Sequence, residues 1–323
     1  MNRIQTRALV EGAVFAAVTV VIGIIGFYIP IISLISVVWS VPTILVAFRH
    51  GFRTSVISSV ASSILVSVLT QPMEGLRFFI GFGLPGIIMG YLLKKKQGPV
   101  KTIFITGVVL AAASIVTLYL GMLAIGVNIA NAYDYLFGMI TKAYNEASSS
   151  MLDMYSSIGV SREELLKSIA VFEKSIDLLK LTLPAILLLS GLMLAYLNFK
   201  LTRLVLKRIN HLIDDVKPFS MWRLSKKWGL FSAFILLLAI IQMSLVRAAP
   251  LNALTLNIFT ILSMTGLVLG VSVAKFFFDK HSVPKALKAI ILFFLIFAFG
   301  NATMLLGVFD MVLDLRKLKQ DSI

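Results

Sequence analysis

The sequence predicts an all-α, polytopic integral membrane helical bundle, and three observations carry that prediction. Of the 323 residues, 59% are hydrophobic and only 14% charged, whereas a soluble domain carries about 25% charged residues. Apolar runs recur along the whole chain, several of them near the roughly 20 residues that one helical crossing of a bilayer needs. Basic residues gather in alternate connections between the runs, the asymmetry that orients membrane helices. The net charge of +15 therefore points to basic cytoplasmic loops rather than to nucleic acid. The chain has no cysteine, which excludes disulfides, thiolate nucleophiles and cysteine-ligated metals.

Eight or nine crossings follow from the runs taken in order. The first, 8–28, follows Arg3 and Arg7 but is too long for a signal peptide and continues through Pro30 into more apolar sequence, so it is a retained helix. Further runs are 33–48, 54–69, 78–93, 103–127, 181–199, 230–246, 251–278 and 287–308. With the N-terminus in the cytoplasm, 20 basic residues fall inside and seven outside, leaving Arg316, Lys317 and Lys319 in a tail that nine crossings would put outside, balanced there by Asp310, Asp314 and Asp321.

Two stretches interrupt the lipid-soluble pattern. Between 130 and 180, outside the membrane, Tyr133, Leu136, Ile140, Tyr144, Ala147 and Met151, then Leu165, Ile169, Phe172, Ile176 and Leu179, recur at helical spacing, and Ser161 with Glu164 forms a capping box. This predicts an antiparallel helical hairpin. Between 200 and 228, Leu201, Val205, Ile209, Leu212 and Val216 share one face and Arg203, Lys207 and Arg208 another, predicting a basic amphipathic linker in the cytoplasmic headgroup region, followed by Trp222 and Trp228 as anchors. Residues 229–323 form additional transmembrane helices.

Motifs for chemistry are scarce. No Gly-x4-Gly-Lys-Ser/Thr spacing is present to cradle a nucleotide, and no His-Glu-x-x-His to hold zinc. His211 with Asp214 and Asp215 is the nearest approach to an acid–base constellation, as for a lipid-active enzyme, but such residues on the polar face of an interfacial helix ordinarily meet solvent. The expectation is a protein that is not an enzyme and calls for no cofactor or metal. Glu11 stands four residues after Arg7, either as a surface pair or as a coupling site. Ala8, Gly12 and Ala16, at steps of four, leave a stripe without bulk for close approach by another helix, of this chain or of a partner.

The outer ends of the early crossings hold the more suggestive polar set. Tyr28, Ser33, Ser36 and Trp39 flank the first connection, Gln71, Glu74 and Arg77 fill the second, and Asn128 and Asn131 close the fifth crossing. Polar groups among aromatics at one level suit a small solute, although Tyr, Trp and Arg also gather at headgroups for their own sake. Arg77 is the leading contact, because a guanidinium holds a carboxylate or phosphate bidentately, which favours an anionic or zwitterionic solute; pairing with Glu74 is the rival role.

The stretch Arg7-Ala-Leu-Val-Glu-Gly-Ala-Val-Phe-Ala-Ala17, with Tyr28-Ile-Pro30, Pro42, Arg49-His-Gly51, Pro85-Gly86 and Gly90, resembles the YybS-like family of predicted bacterial membrane proteins. That family is similar to the substrate-binding S components of energy-coupling-factor (ECF) vitamin transporters. The resemblance implies a six-helix solute-binding module over 1–199, set in the bacterial cell membrane, with an outward-facing pocket. It also implies a coupling-subunit partner that packs on the first-helix stripe, matched here by Ala8, Gly12 and Ala16. The long outer hairpin and the helices after Phe199 depart from the S-component pattern. The resulting expectation is a transport protein energised by partner subunits; the alternative is a membrane scaffold or regulator working through its hairpin and basic cytoplasmic segment.

Overall fold

A computed structural model of the chain describes residues 3–29, 39–156, 162–245 and 249–318. Among them every regular element is helical: α1 (Arg3–Tyr28), α2 (Val41–His50), α3 (Phe52–Leu69), α4 (Pro72–Phe78), α5 (Leu84–Lys94), α6 (Pro99–Ala124), α7 (Ala132–Ser156), α8 (Arg162–Arg208), α9 (Lys226–Leu245), α10 (Ala249–Lys280), α11 (Lys285–Phe297) and α12 (Gly300–Leu313). The reason is solvent: hydrocarbon offers no hydrogen bonds, so backbone groups must be satisfied within the segment that carries them. Six of the helical stretches are long and apolar enough to cross a bilayer, or seven if α11 and α12, bent by 98°, count as one. The chain divides into two compact units, the first of residues Met1–Lys180 and Leu187–Asp215, the second of Leu181–Ile186 and Val216–Ile323.

The second run, 33–48, is described only from Trp39 onward and is not among those stretches. Its described part, α2, has ten residues, about 15 Å of helix, and Val41–Ala47 are all buried. In the first unit α2 is the core element: Ile44 packs with Met89 and Leu93 of α5, Leu110 of α6 and Ala195 and Phe199 of α8, while Val41 and Leu45 meet Leu206. The last run, 287–308, breaks at Ala298–Phe299, and the carbonyl of Leu295 freed by the break accepts the Thr303 hydroxyl at 2.8 Å.

Around α2, helices approach closely through small residues. Ser55, Ser59, Ser62 and Ser63 of α3 are buried, and Ser62 and Ser63 return their hydroxyls to carbonyls of their own helix. Ser58 donates across to the Gly12 carbonyl of α1 at 2.7 Å. A side chain added at Gly75 would collide with Ser67 and with the Ser63 carbonyl, and one at Gly83 with Ser59. Lipid supplies little hydrophobic drive between helices, so such contact distances hold the unit together.

The 130–180 region is helical on both sides of residues 157–161. Tyr144 of α7 stacks on Phe172 of α8 with ring centroids 3.6 Å apart, and near the open end Lys180 pairs with Asp134 while the Tyr133 hydroxyl donates to the Lys180 carbonyl. Those pairings run antiparallel. Burial pushes the Tyr133 phenol up, keeping it a donor. Ser161 of the expected capping box lies outside the described residues. The amphipathic helix expected after Lys200 is the end of α8, which continues past Lys200 to Arg208; Asn210 then turns in the left-handed region and residues 211–218 carry no regular structure.

The second unit is organised by two polar devices. Pro184 interrupts α8, and the Asn257 amide of α10 spans the interrupted turn, accepting from the Ala185 N–H at 2.9 Å and donating to the Leu181 carbonyl at 2.7 Å. At the end of α12, Arg316 and Asp310 form an ion pair with side chains 0% and 1% exposed. The guanidinium gives Nε and Nη2 to Asp310, Nη1 to the Ser220 carbonyl and Ser272 hydroxyl, and Nη2 also to the Trp222 carbonyl. Arg223 reaches Asp314 at 2.7 Å. Two of the tail's basic and acidic residues are thus consumed by each other, which removes Arg316 from the count of free positive charges.

Breaking that buried pair on one side costs about 3–5 kcal/mol, since it strands a charge. Asp310→Ala is expected to lower the thermal unfolding midpoint of the detergent-purified protein far more than the paired change Asp310→Leu with Arg316→Met. In the first unit, Gly75→Ala is expected to destabilise by about 1–3 kcal/mol through overpacking, whereas Gly98→Ala, which meets nothing, leaves the midpoint unchanged.

Candidate functional site

Arg77 occupies the last turn of α4, a seven-residue helix opened by Pro72 at its first turn. It is followed by a π-turn at Phe79–Gly83, which joins α4 to α5 within one apolar stretch. Such turns recur at functional sites because the extra residue re-aims the helix. The guanidinium Nη1 donates to Glu74, one turn earlier. Its flat face lies on Gly121 of α6, where an added Cβ would stand 3.5 Å from Cζ. The Nε is buried and has no hydrogen-bond acceptor. With the side chain 37% exposed and Glu74 24% exposed, this is a half-sheltered ion pair whose Nε is a buried donor left over.

The residues expected around it have other employment. Trp39 is 8% exposed, packed against Phe78 and Phe82 with centroids at 6.1 and 4.5 Å, and its ring fills the space left by Gly26; it belongs to the core with Val20 and Val66. Tyr28 is 63% exposed and its hydroxyl donates to the Leu69 carbonyl at 3.3 Å. Gln71 is exposed at the N-cap of α4 without a side-chain cap bond. Asn128 accepts from the Ala130 N–H at 3.0 Å, capping the short turn Ile129–Asn131, and Asn131 is exposed. Ser33 and Ser36 lie outside the described residues. Two open surface depressions, of about 640 Å³ on α7 beside Thr141 and Asn145 and about 420 Å³ at the α11–α12 bend, contain none of this set.

The first-helix stripe is spent within the chain. Gly12 is buried against Thr54 and Ser58 of α3, and Ala16 is 5% exposed, with Ala8 half-buried on the same face. Of the two roles expected for Ala8, Gly12 and Ala16, approach by a helix of this chain is the one seen at Gly12, where α3 comes close. Glu11 gathers three partners, Arg7 and Arg49 at 3.0 Å each and the His50 ring nitrogen at 2.8 Å. Asp215 is held by Lys200 at 2.6 Å and Arg203 at 3.0 Å, and His211 stands edge-on to Phe48. Among the described residues no three His, Cys, Asp or Glu side chains gather as metal ligands would.

The DUF2232 family, described as predicted membrane proteins, matches residues 17–311 of this chain. The chain belongs to that family. It is also similar to the protein named "Uncharacterized protein YybS" of Bacillus subtilis (strain 168), with 27% identity over 322 residues, covering 97% of this chain and 98% of that protein. No solved structure matches. Within this member of the DUF2232 family, sequence reasoning overlooked Gly121 as the wall under Arg77, and the π-turn that aims Arg77. A glycine in an apolar run carries no mark of what lies against it. The π-turn left only the faint signal of Gly81, Gly83 and Pro85 in close succession.

Proposed function

We propose that this multi-pass membrane protein binds a small anionic or zwitterionic solute at Arg77 and serves its transport, with the N-terminus in the cytoplasm. The observation that carries the reading is the buried, acceptor-less Nε of Arg77. A guanidinium between helices of the first unit, half satisfied by Glu74 and laid on a glycine, is primed to take a carboxylate or phosphate oxygen. The first unit supports this by its helices: α1, α2, α3, the joined α4 and α5, α6 and the later part of α8 make the six of an S-component-like module. In this reading the chain does no bond-making chemistry, and partner subunits supply the energy, since no nucleotide-binding motif is present.

A second reading, a scaffold or regulator, is favoured by the outer hairpin, where Tyr135, Met139, Val171 and Leu178 are all exposed. Crosslinking of single cysteines on that hairpin to neighbouring proteins, with solute binding absent, would select it.

The test of solute binding is a thermal-shift screen of the purified protein against small carboxylates and phosphate esters. A compound that stabilises the wild type is expected to bind roughly tenfold or more weakly to Arg77→Ala, the usual loss for a charged hydrogen bond, and to recover part of that in Arg77→Lys. A stabilising compound indifferent to Arg77 would sink the site. Orientation is checked separately in this cysteine-free chain: Gln97→Cys is expected to resist an impermeant maleimide in intact cells, and Asn145→Cys to react.

A further inference from the structure

At the opposite end of α3 from Leu69, three elements meet. Gly51, with φ of +91° in the left-handed region that favours glycine, turns the chain from α2 into α3 in a single residue. Lys94, the last residue of α5, donates its ammonium to the Arg49 carbonyl at 3.4 Å and lies 3.0 Å from where a Gly51 Cβ would stand, so the end of α5 is pinned over that turn. Phe52, opening α3, packs edge-on against Tyr91 of α5 with centroids 5.9 Å apart. The Lys95 ammonium stands 5.7 Å from the Tyr91 ring centroid. Phe52 and Tyr91 are 52% and 38% exposed.

These contacts bring Lys94 and Lys95 to the start of α3; with Arg53 in the first turn of α3 and Lys96 just past α5, four exposed basic residues stand at the adjoining ends of the stretches Phe52–Leu69 and Pro72–Lys94, both long and apolar enough to cross a bilayer. Glu11, the carboxylate on the neighbouring α1, is already shared by Arg7, Arg49 and His50. Among the described residues no carboxylate lies within ion-pair distance of Arg53, Lys94, Lys95 or Lys96. The contrast with Arg77 and Glu74, Lys180 and Asp134, or Arg316 and Asp310 is one of chemistry: those cations have a carboxylate of this chain beside them, and these have none among the described residues. An exposed tyrosine such as Tyr91 suits the headgroup level of a bilayer, and cations clustered there attract anionic lipid.

We propose that the surface formed by Arg53, Lys94, Lys95 and Lys96, with the Phe52–Tyr91 pair at its edge, binds the headgroup of an anionic phospholipid. The phosphodiester takes the ammonium and guanidinium donors, and the rings pack on the glycerol and upper chain region. The proposal stands independently of solute binding at Arg77, which lies toward the far end of the joined α4 and α5.

Native mass spectrometry of the full chain in neutral detergent tests it, with dioleoyl phosphatidylglycerol and dioleoyl phosphatidylcholine as probes. The wild type is expected to bind phosphatidylglycerol at least about tenfold more tightly, each cation near the surface contributing roughly fivefold. The triple variant Arg53→Gln, Lys94→Gln, Lys95→Gln is expected to lose the preference, while Lys142→Gln with Lys174→Gln, on the hairpin, keeps it. Should the triple variant fail to purify, Lys95→Gln alone is expected to lower the preference several-fold and Lys95→Arg to restore it. Equal affinity for the two lipids, a preference that survives removal of these cations, or displacement of phosphatidylglycerol by millimolar inorganic phosphate would overturn the proposal.

Discussion

The structure depends on one constraint, that backbone polar groups at membrane depth find partners inside the protein. Helices meet it automatically until something interrupts them, and the interruptions here are repaired by side chains. Pro184 cannot donate and its ring crowds the preceding turn; Asn257 then supplies both a donor and an acceptor to that turn. The break between α11 and α12 frees the Leu295 carbonyl, and Thr303 takes it. At the end of α12 the guanidinium of Arg316 collects the carbonyls of Ser220 and Trp222, and Asp310 balances the charge. In each case a polar residue in an apolar run serves local backbone accounting.

The first unit obeys a second rule, that helices in lipid are held by closeness rather than by hydrophobic exclusion. Serines on α3 and glycines on its neighbours allow that closeness, and α2 is buried so completely that it reads as core although its neighbours read as spans. Arg77 is aimed by this packing: Phe78 turns inward onto the Trp39 cluster, and the next polar position is left lying on Gly121.

Much of this was legible in the sequence because apolar length and helical spacing are local. The helices α1, α3, α6, α9 and α10 follow their runs closely, and the family follows from short motifs near Arg7 and Arg49. What was not legible is what depends on contact. The run at 33–48 reads as a crossing, and the burial of its described part, α2, carries no mark in the sequence because a buried core helix and a membrane helix share one composition. Trp39 looked interfacial because an aromatic beside polar residues reads that way until its neighbours Gly26 and Phe78 are known. Leu201, Val205, Ile209, Leu212 and Val216 formed a plausible interfacial stripe; Val216 is buried, but within this end of α8 the buried positions are Thr202 and Leu206, since a helix that continues from a span keeps the span's inner face. Asn257 and Asp310 carried no signal of their partners, which lie 72 and six residues away in sequence.

The π-turn at Phe79–Gly83 sets a length requirement on the chain. One residue of helix corresponds to about 100° of rotation, so deleting any single residue there would restore a regular helix and swing α4 by roughly that angle relative to α5. Arg77 would leave Gly121 and Phe78 would leave Trp39, with no side chain altered. For related chains, then, gaps in this segment carry more meaning than exchanges: a relative one residue shorter between Arg77 and Pro85 would present a different face of the same helix to its bundle.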